Sequence, residues 1–318
     1  MMEDQNETFI IKVKKRKNKK KETIVDVMEV LSNKLINLTL ENDEEKYKFN
    51  ISDVVSDEKA LTNYIKHLNE FIKNKTLFEL IEYARTICYG LPSEEQLKNH
   101  FNSDKNKKDK GLVGKAIEYA LFGQIPNNKS NPDIVKLGYD IKTCAFKTLK
   151  NNGKNAKERQ TLTNCGNTNN YDSFKNICDN EKFSECQYYE KSKKFILFVR
   201  NDDKIMLKTF DQLLNQKMLV ILCFDIEKLP SDMIETINID YESIRRCIIE
   251  KKVSQKGQKY LHIHTHGMGH GSGNRALGFT SSFITQLVAL TLSEIYNKNL
   301  DDILIKEGKG IAIKNEYL

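Results

Sequence analysis

The sequence predicts a mixed fold of helices and strands, α/β or α+β, and three observations carry that prediction. Residues 57–123 repeat apolar positions at helical spacing, residues 132–224 break into apolar runs of strand length, and residues 282–295 return to a dense helical pattern. The expected plan is a central mixed β-sheet flanked by helices.

The helices come first. Ser56 or Asp57 can cap a helix with Leu61, Tyr64, Ile65, Leu68 and Ile72 on one side. Thr76 can cap a second helix through Leu77, Leu80, Ile81 and Ala84, with Gly90 as its stop and Pro92 beyond. Ser93 and Gln96 form a capping-box pattern for a third. A charged loop over Asp104–Asp109 precedes a fourth helix with Leu112, Val113, Ala116, Ile117, Ala120 and Leu121 on its apolar side, ended by Gly123. Strands are expected at Val135–Leu137, Tyr139–Ala145, Phe195–Val199, Ile205–Leu207, Met218–Phe224, Tyr260–His264 and Leu277–Phe279. Asn151–Asn155 and Asn164–Asn170 look like polar loops. Ser231 starts a helix that can run to Ile249, and Ser282 is the expected cap of the last apolar helix.

The 318 residues are 39% apolar and 30% charged, enough for a sizeable core. No run approaches the roughly 18 apolar residues of a membrane span, so no membrane partner is expected. No apolar stretch marks a signal peptide. Seven scattered cysteines, an odd number without CxxC spacing, fit reduced thiols and a cytoplasmic location. The net charge of +7 is misleading: eight positive charges lie between Lys12 and Lys21, and +7 less eight leaves −1 for the rest. That run can hold nucleic-acid phosphates, or can be a solvated tail.

The segment NPDIVKLGYDIKT, residues 131–143, holds the candidate chemistry. Gly138 permits a tight turn that folds Asp133 back toward the following strand. Residues two apart in a strand share a face, so Asp140 and Lys142 project together while Ile141 points inward. Two converging carboxylates repel unless a cation lies between them, and oxygen ligands suit Mg²⁺. A lysine beside them can offset negative charge that develops in a transition state. Taken alone, an Asp-x-Lys pair is also a common solvated sheet face.

The neighbourhood decides between these readings. TLFEL at 76–80 resembles the GYTLGEL helix of the MutH-like endonucleases in the PD-(D/E)xK superfamily. DKGLVGKAIE at 109–118 resembles that family's DKGWVGMLLE, LGYDIKT at 137–143 its LGVELKT, and KSKKFILF at 191–198 its KLKRVLW strand. The resemblance extends over roughly residues 58–296, with large unmatched insertions. It implies a restriction-endonuclease-like core and Mg²⁺-dependent cleavage of double-stranded DNA, with Mn²⁺ able to substitute. It also implies a type II restriction enzyme with a cognate methyltransferase as genetic partner and a homodimer on DNA, or else a mismatch-repair nickase. A non-catalytic DNA-binding protein is the alternative of another class. By resemblance Asp133, Asp140 and the backbone carbonyl of Ile141 are metal ligands. Glu118 is a further carboxylate of the site, Lys142 the catalytic lysine and Lys191 a supporting one. The family's usual glutamate is Asp140 here, one methylene shorter.

The segment LHIHTHGMGHGSGNRALGF, residues 261–279, is the second unusual stretch. His262, His264 and His266 share a face if the segment is a strand, but no cysteine is near and no common zinc spacing is present, so zinc is not expected there. The resemblance makes it a DNA-reading strand and loop, with His264, His266, Arg275 and Phe279 as candidate contacts. A plain glycine-rich connection is the other reading. The expected organisation is a basic arm over 1–55 and an endonuclease domain over 56–318, with a catalytic lobe to about 200 and a DNA-reading part over about 201–300.

Overall fold

The computed structural model describes residues 47–101, 111–126, 131–202, 212, 214–253, 257–267, 272–308 and 310–318. The basic run at 12–21, the loop at 104–109, the strand expected at 205–207 and His270 lie outside the described residues.

Four amphipathic helices lead: α1 (Glu58–Phe71), α2 (Leu77–Ile87), α3 (Glu94–Phe101) and α4 (Leu112–Phe122). Their starts follow from side chains that satisfy orphan amides. Asp57 accepts from the Ala60 amide at 2.7 Å. Thr76 and Glu79 close a reciprocal capping box, with the Glu79 amide donating to Thr76 Oγ1 at 3.2 Å and the Thr76 amide to Glu79 Oε2 at 2.8 Å. Ser93 and Gln96 exchange the same pair of bonds. Gly123 ends α4 in the left-handed region, φ +63°. Helix α2 stops at Ile87, earlier than Gly90, because Cys88 and Tyr89 turn extended and pair in parallel with Phe49 and Asn50.

A six-stranded mixed sheet follows, built from β1 (Asp140–Thr148), β2 (Lys154–Ala156), β4 (Lys194–Asn201), β5 (Met218–Asp225), β8 (Leu304–Glu307) and β9 (Gly310–Ile313), in the order β8-β9-β2-β1-β4-β5. Only the central pair β1 and β4 runs parallel. A second sheet joins β3 (Gln160–Asn167), β6 (Leu261–Thr265) and β7 (Asn274–Phe279) in the antiparallel order β3-β7-β6. Helices α5 (Ser231–Ile249) and α6 (Ser281–Tyr296) complete the fold.

The large sheet buries both faces, so β4 reads as an unbroken apolar run, Phe195–Val199. Ile141, Ile196, Phe198 and Ile221 join the core of the leading helices. Cys144, Phe146, Phe195, Leu197 and Val199 join a second core with the small sheet, α5 and α6.

Four local expectations need correction. Val135–Leu137 is a turn, not a strand: the Leu137 and Gly138 amides donate back to Ile134 O at 3.2 and 2.9 Å, and Gly138 sits at φ +76°. The expected loop at 164–170 is strand up to Asn167, because β7 supplies its backbone partners through two register shifts. Similarly, Lys154 and Asn155 belong to β2. The last helix is capped by Thr280 rather than Ser282, with the Phe283 amide donating to Thr280 Oγ1 at 3.2 Å.

Replacing Thr76 by Ala removes one half of the α2 capping box. We expect a loss of about 1 kcal/mol in urea unfolding, with a smaller loss for Thr76→Ser.

Candidate metal site and the histidine strand

The turn that defeats a strand at Val135–Leu137 builds the site. The Ile134 amide donates to Tyr139 O at 2.9 Å, closing the turn. Asp133 lies one residue before this bridge and Asp140 one residue after it. The Ile141 amide donates to Asp133 Oδ2 at 2.7 Å, which folds that carboxylate onto the start of β1. Asp140 is buried, and Lys142 Nζ approaches its Oδ2 at 2.5 Å. The period of the strand thus places Asp140 and Lys142 together, with Ile141 turned into the helical core.

Helix α4 adds Glu118, 7% exposed, whose Oε1 is buried with no hydrogen-bond partner. Burial, then the charges of Asp133 and Asp140, push its pKa up to about 7, against the opposing ammonium of Lys115 one turn earlier. Asp133 is also raised, by burial first and by Asp140 next, while the Ile141 amide, Lys142 and Lys191 oppose the rise. Electrostatic influence thus links five sequence-selected residues: Glu118 with Asp133 and Asp140, and Asp133 with Lys142 and Lys191. Of the three neighbouring lysines, Lys193 pairs with Glu190, and Lys194 with Glu58 and Asp225, which leaves Lys191 acting on Asp133.

An orphaned buried carboxylate oxygen beside two mutually repelling carboxylates is chemically suited to a hard divalent cation. Among the described residues no group of three or more His, Cys, Asp or Glu side chains is arranged to hold a metal ion by itself.

The histidine segment is a strand, β6, in the small sheet, separate from the carboxylate cluster in the fold's topology. His262 and His264 stack with ring centroids 4.9 Å apart, and His264 Nε2 lies 3.2 Å from Thr161 Oγ1. Burial, with Arg159 next, pushes His264 down to about 3 and His262 to about 4, so both rings are neutral at pH 7. His264 is buried and His266 exposed. Arg275 Nη1 donates to the backbone carbonyls of Ser272 and Asn274 at 2.8 and 3.1 Å.

Phe279 is a correction. Its ring is fully buried and packs 4.7 Å from the Phe283 centroid and 5.4 Å from that of Phe224, so no face is open to a duplex. It lies on the core side of β7 with Leu277, a side fixed by strand alternation. Sequence reasoning did not select Lys115 or Tyr139. Lys115 was legible as the residue one turn before Glu118, whereas nothing local marks Tyr139.

Two outcomes follow. Phe279→Ala is expected to cost about 3–5 kcal/mol of stability, read by chemical unfolding. Glu118 has its folded pKa, about 7, above the usual value of 4.5. Its favourable contribution is therefore full below pH 4.5 and lost as pH rises through 7. Without metal, the wild type should lose up to ~3 kcal/mol over that window relative to Glu118→Gln, whose curve is flatter there.

Residues 122–227 match the family model "DNA mismatch repair enzyme MutH". This stretch contains Asp133, Asp140, Lys142 and Lys191, and Glu118 lies just before it. The chain is also 25% identical over 219 residues to the type II restriction enzyme Sau3AI of Staphylococcus aureus. The match covers 67% of this chain and 36% of that enzyme, so the chain spans little more than a third of its relative's length. No described helix is long and apolar enough to cross a membrane, and no disulfide joins the described cysteines. The chain thus resembles the MutH family over residues 122–227 and is similar in sequence to part of a type II restriction enzyme.

Proposed function

We propose that the chain is a type II site-specific endonuclease that hydrolyses phosphodiester bonds of duplex DNA with Mg²⁺, or Mn²⁺ in its place. The observation that carries this reading is the convergence of Glu118, Asp133 and Asp140 with Lys142 at the end of β1, inside or beside the MutH-like stretch. Asp133, Asp140 and the Ile141 carbonyl would hold the cation, with Glu118 as a further carboxylate. A divalent cation there would supply charge neutralisation at the phosphate and a lower pKa for water.

The chain's own groups do the rest. Lys142 faces the same point as Asp140 and offsets charge that builds on the phosphoryl oxygens. Lys191 adds a second cation for the scissile strand. Water attacks phosphorus, the P–O3′ bond breaks, and the products carry a 5′-phosphate and a 3′-hydroxyl. His264, His266 and Arg275 are the proposed DNA-reading positions. One such site per chain cuts one strand at a time, so we propose a homodimer on DNA or sequential nicking. A cognate methyltransferase is the expected genetic partner, and a cytoplasmic location fits a DNA substrate.

The description of the matched family favours a second reading, a mismatch-repair nickase. Supercoiled plasmid with and without adenine or cytosine methylation, incubated with Mg²⁺ and followed by end sequencing, separates the two. Restriction predicts linear fragments with one recurring sequence at their ends, and nicking predicts open circles only. Lys142→Ala and Asp133→Ala should each lower the rate by at least about 10²–10³-fold. Intact plasmid in every methylation state, or full activity of Lys142→Ala, contradicts the reading.

A further inference from the structure

We infer that Tyr139 and Glu58 form a clasp that positions Asp133 and Asp140 for cation binding, an inference that rests on the metal-site reading above. Tyr139 immediately precedes Asp140, and its carbonyl closes the turn by accepting the Ile134 amide. Its side chain is 1% exposed. The hydroxyl donates to Glu58 Oε1 at 2.6 Å, reaching the first residue of α1, 81 positions away in sequence. Tyr139 is thus fixed twice, by its backbone to the turn and by its hydroxyl to a helix of the leading core.

The anchor itself is held. Lys194 Nζ lies 3.7 Å from Glu58 Oε2, 3.6 Å from Asp225 Oδ2 and 5.2 Å from the centre of the Tyr139 ring. Lys228 reaches Glu58 Oε1 at 3.4 Å. Lys194 precedes Phe195, the residue that pairs with Asp140 across the parallel β1–β4 register. The clasp therefore ties α1, the turn, the start of β4 and the end of β5 at one point. Burial raises the carboxyl of Glu58, but the Tyr139 hydroxyl and the two lysines outweigh it and lower the pKa. The tyrosine, raised by burial and by Glu58, keeps its proton. Donor and acceptor roles are unambiguous.

The physical task is to resist repulsion. Asp133 and Asp140 sit one residue outside either end of the Ile134–Tyr139 bridge, so any shift of Tyr139 moves both. Their like charges favour opening the turn. The Ile141 amide opposes this at Asp133, and the clasp opposes it through Tyr139. Tyr139 and Glu58 are positioning residues, acting through the two aspartates.

The test is Mn²⁺ binding to the full chain without DNA, read from the electron paramagnetic resonance signal of the free ion. Tyr139→Phe keeps the ring and removes the hydroxyl. It should weaken Mn²⁺ binding about ten-fold, the size of effect seen when an outer partner of a metal ligand is lost. Glu58→Ala should weaken it similarly, and the double variant should be no weaker than either single one. Tyr64→Phe is the control: it removes another buried hydroxyl, bonded to Leu121 O at 3.1 Å, distant in sequence from the turn. It should lower thermal stability and leave Mn²⁺ affinity unchanged. Wild-type affinity in Tyr139→Phe, or an equal loss in Tyr64→Phe, overturns the clasp alone. A wild type that binds no Mn²⁺, or whose binding is indifferent to Asp140→Asn, overturns the metal reading and the clasp with it.

Discussion

The hydrogen bond from the Ile141 amide to Asp133, 2.7 Å long, brings together two carboxylates whose charges oppose their meeting. Everything else in the site is arranged around that conflict. The turn between them is closed by backbone bonds and a left-handed glycine, so it cannot relax by lengthening. Lys142 lies against Asp140 and takes part of the negative charge. Glu118 adds a third carboxyl from a separate helix, and its response is a pKa near 7. A folded chain keeps such a cluster only where a ligand, a proton or a cation repays it.

The fold supplies rigidity for this cluster. Strand β1 is central in its sheet, with β2 on one side and β4 on the other, and both sheet faces are covered by separate apolar cores. Its first residue is therefore fixed by parallel pairing to Phe195 and by the burial of Ile141. Helix α4 is anchored by Ala116, Ile117, Ala120 and Leu121, which presents Glu118 at a defined height against the strand. A site on elements of this kind holds its geometry more closely than one carried by loops.

Most of this was legible in the sequence because the determinants are local. The Thr76 and Ser93 caps act within three residues, and the period-two placement of Asp140 and Lys142 needs only a strand. The carboxylate cluster itself was legible through the linked order of motifs resembling the MutH-like enzymes. What escaped depends on distant chain. Strand β3 is polar, and its pairing is supplied by β7, more than 100 residues later. Phe279 is a candidate DNA contact only by the resemblance of its segment to a DNA-reading strand and loop. Its burial follows from which face of β7 meets Phe224 and Phe283, a tertiary fact. The apolar run at Val135–Leu137 looked like a strand, but Gly138 and the back-bonding to Ile134 curl it. The bond between Glu58 and Tyr139 leaves no sequence pattern at all.

The proposed function depends on this cluster binding a divalent cation. Anomalous diffraction from crystals soaked in Mn²⁺ tests it most directly. The expected result is a peak between Asp133 and Asp140, near the carbonyl of Ile141, that disappears in Asp140→Asn. A peak at His262 and His264 with none at the carboxylates, or no peak at all, would contradict it.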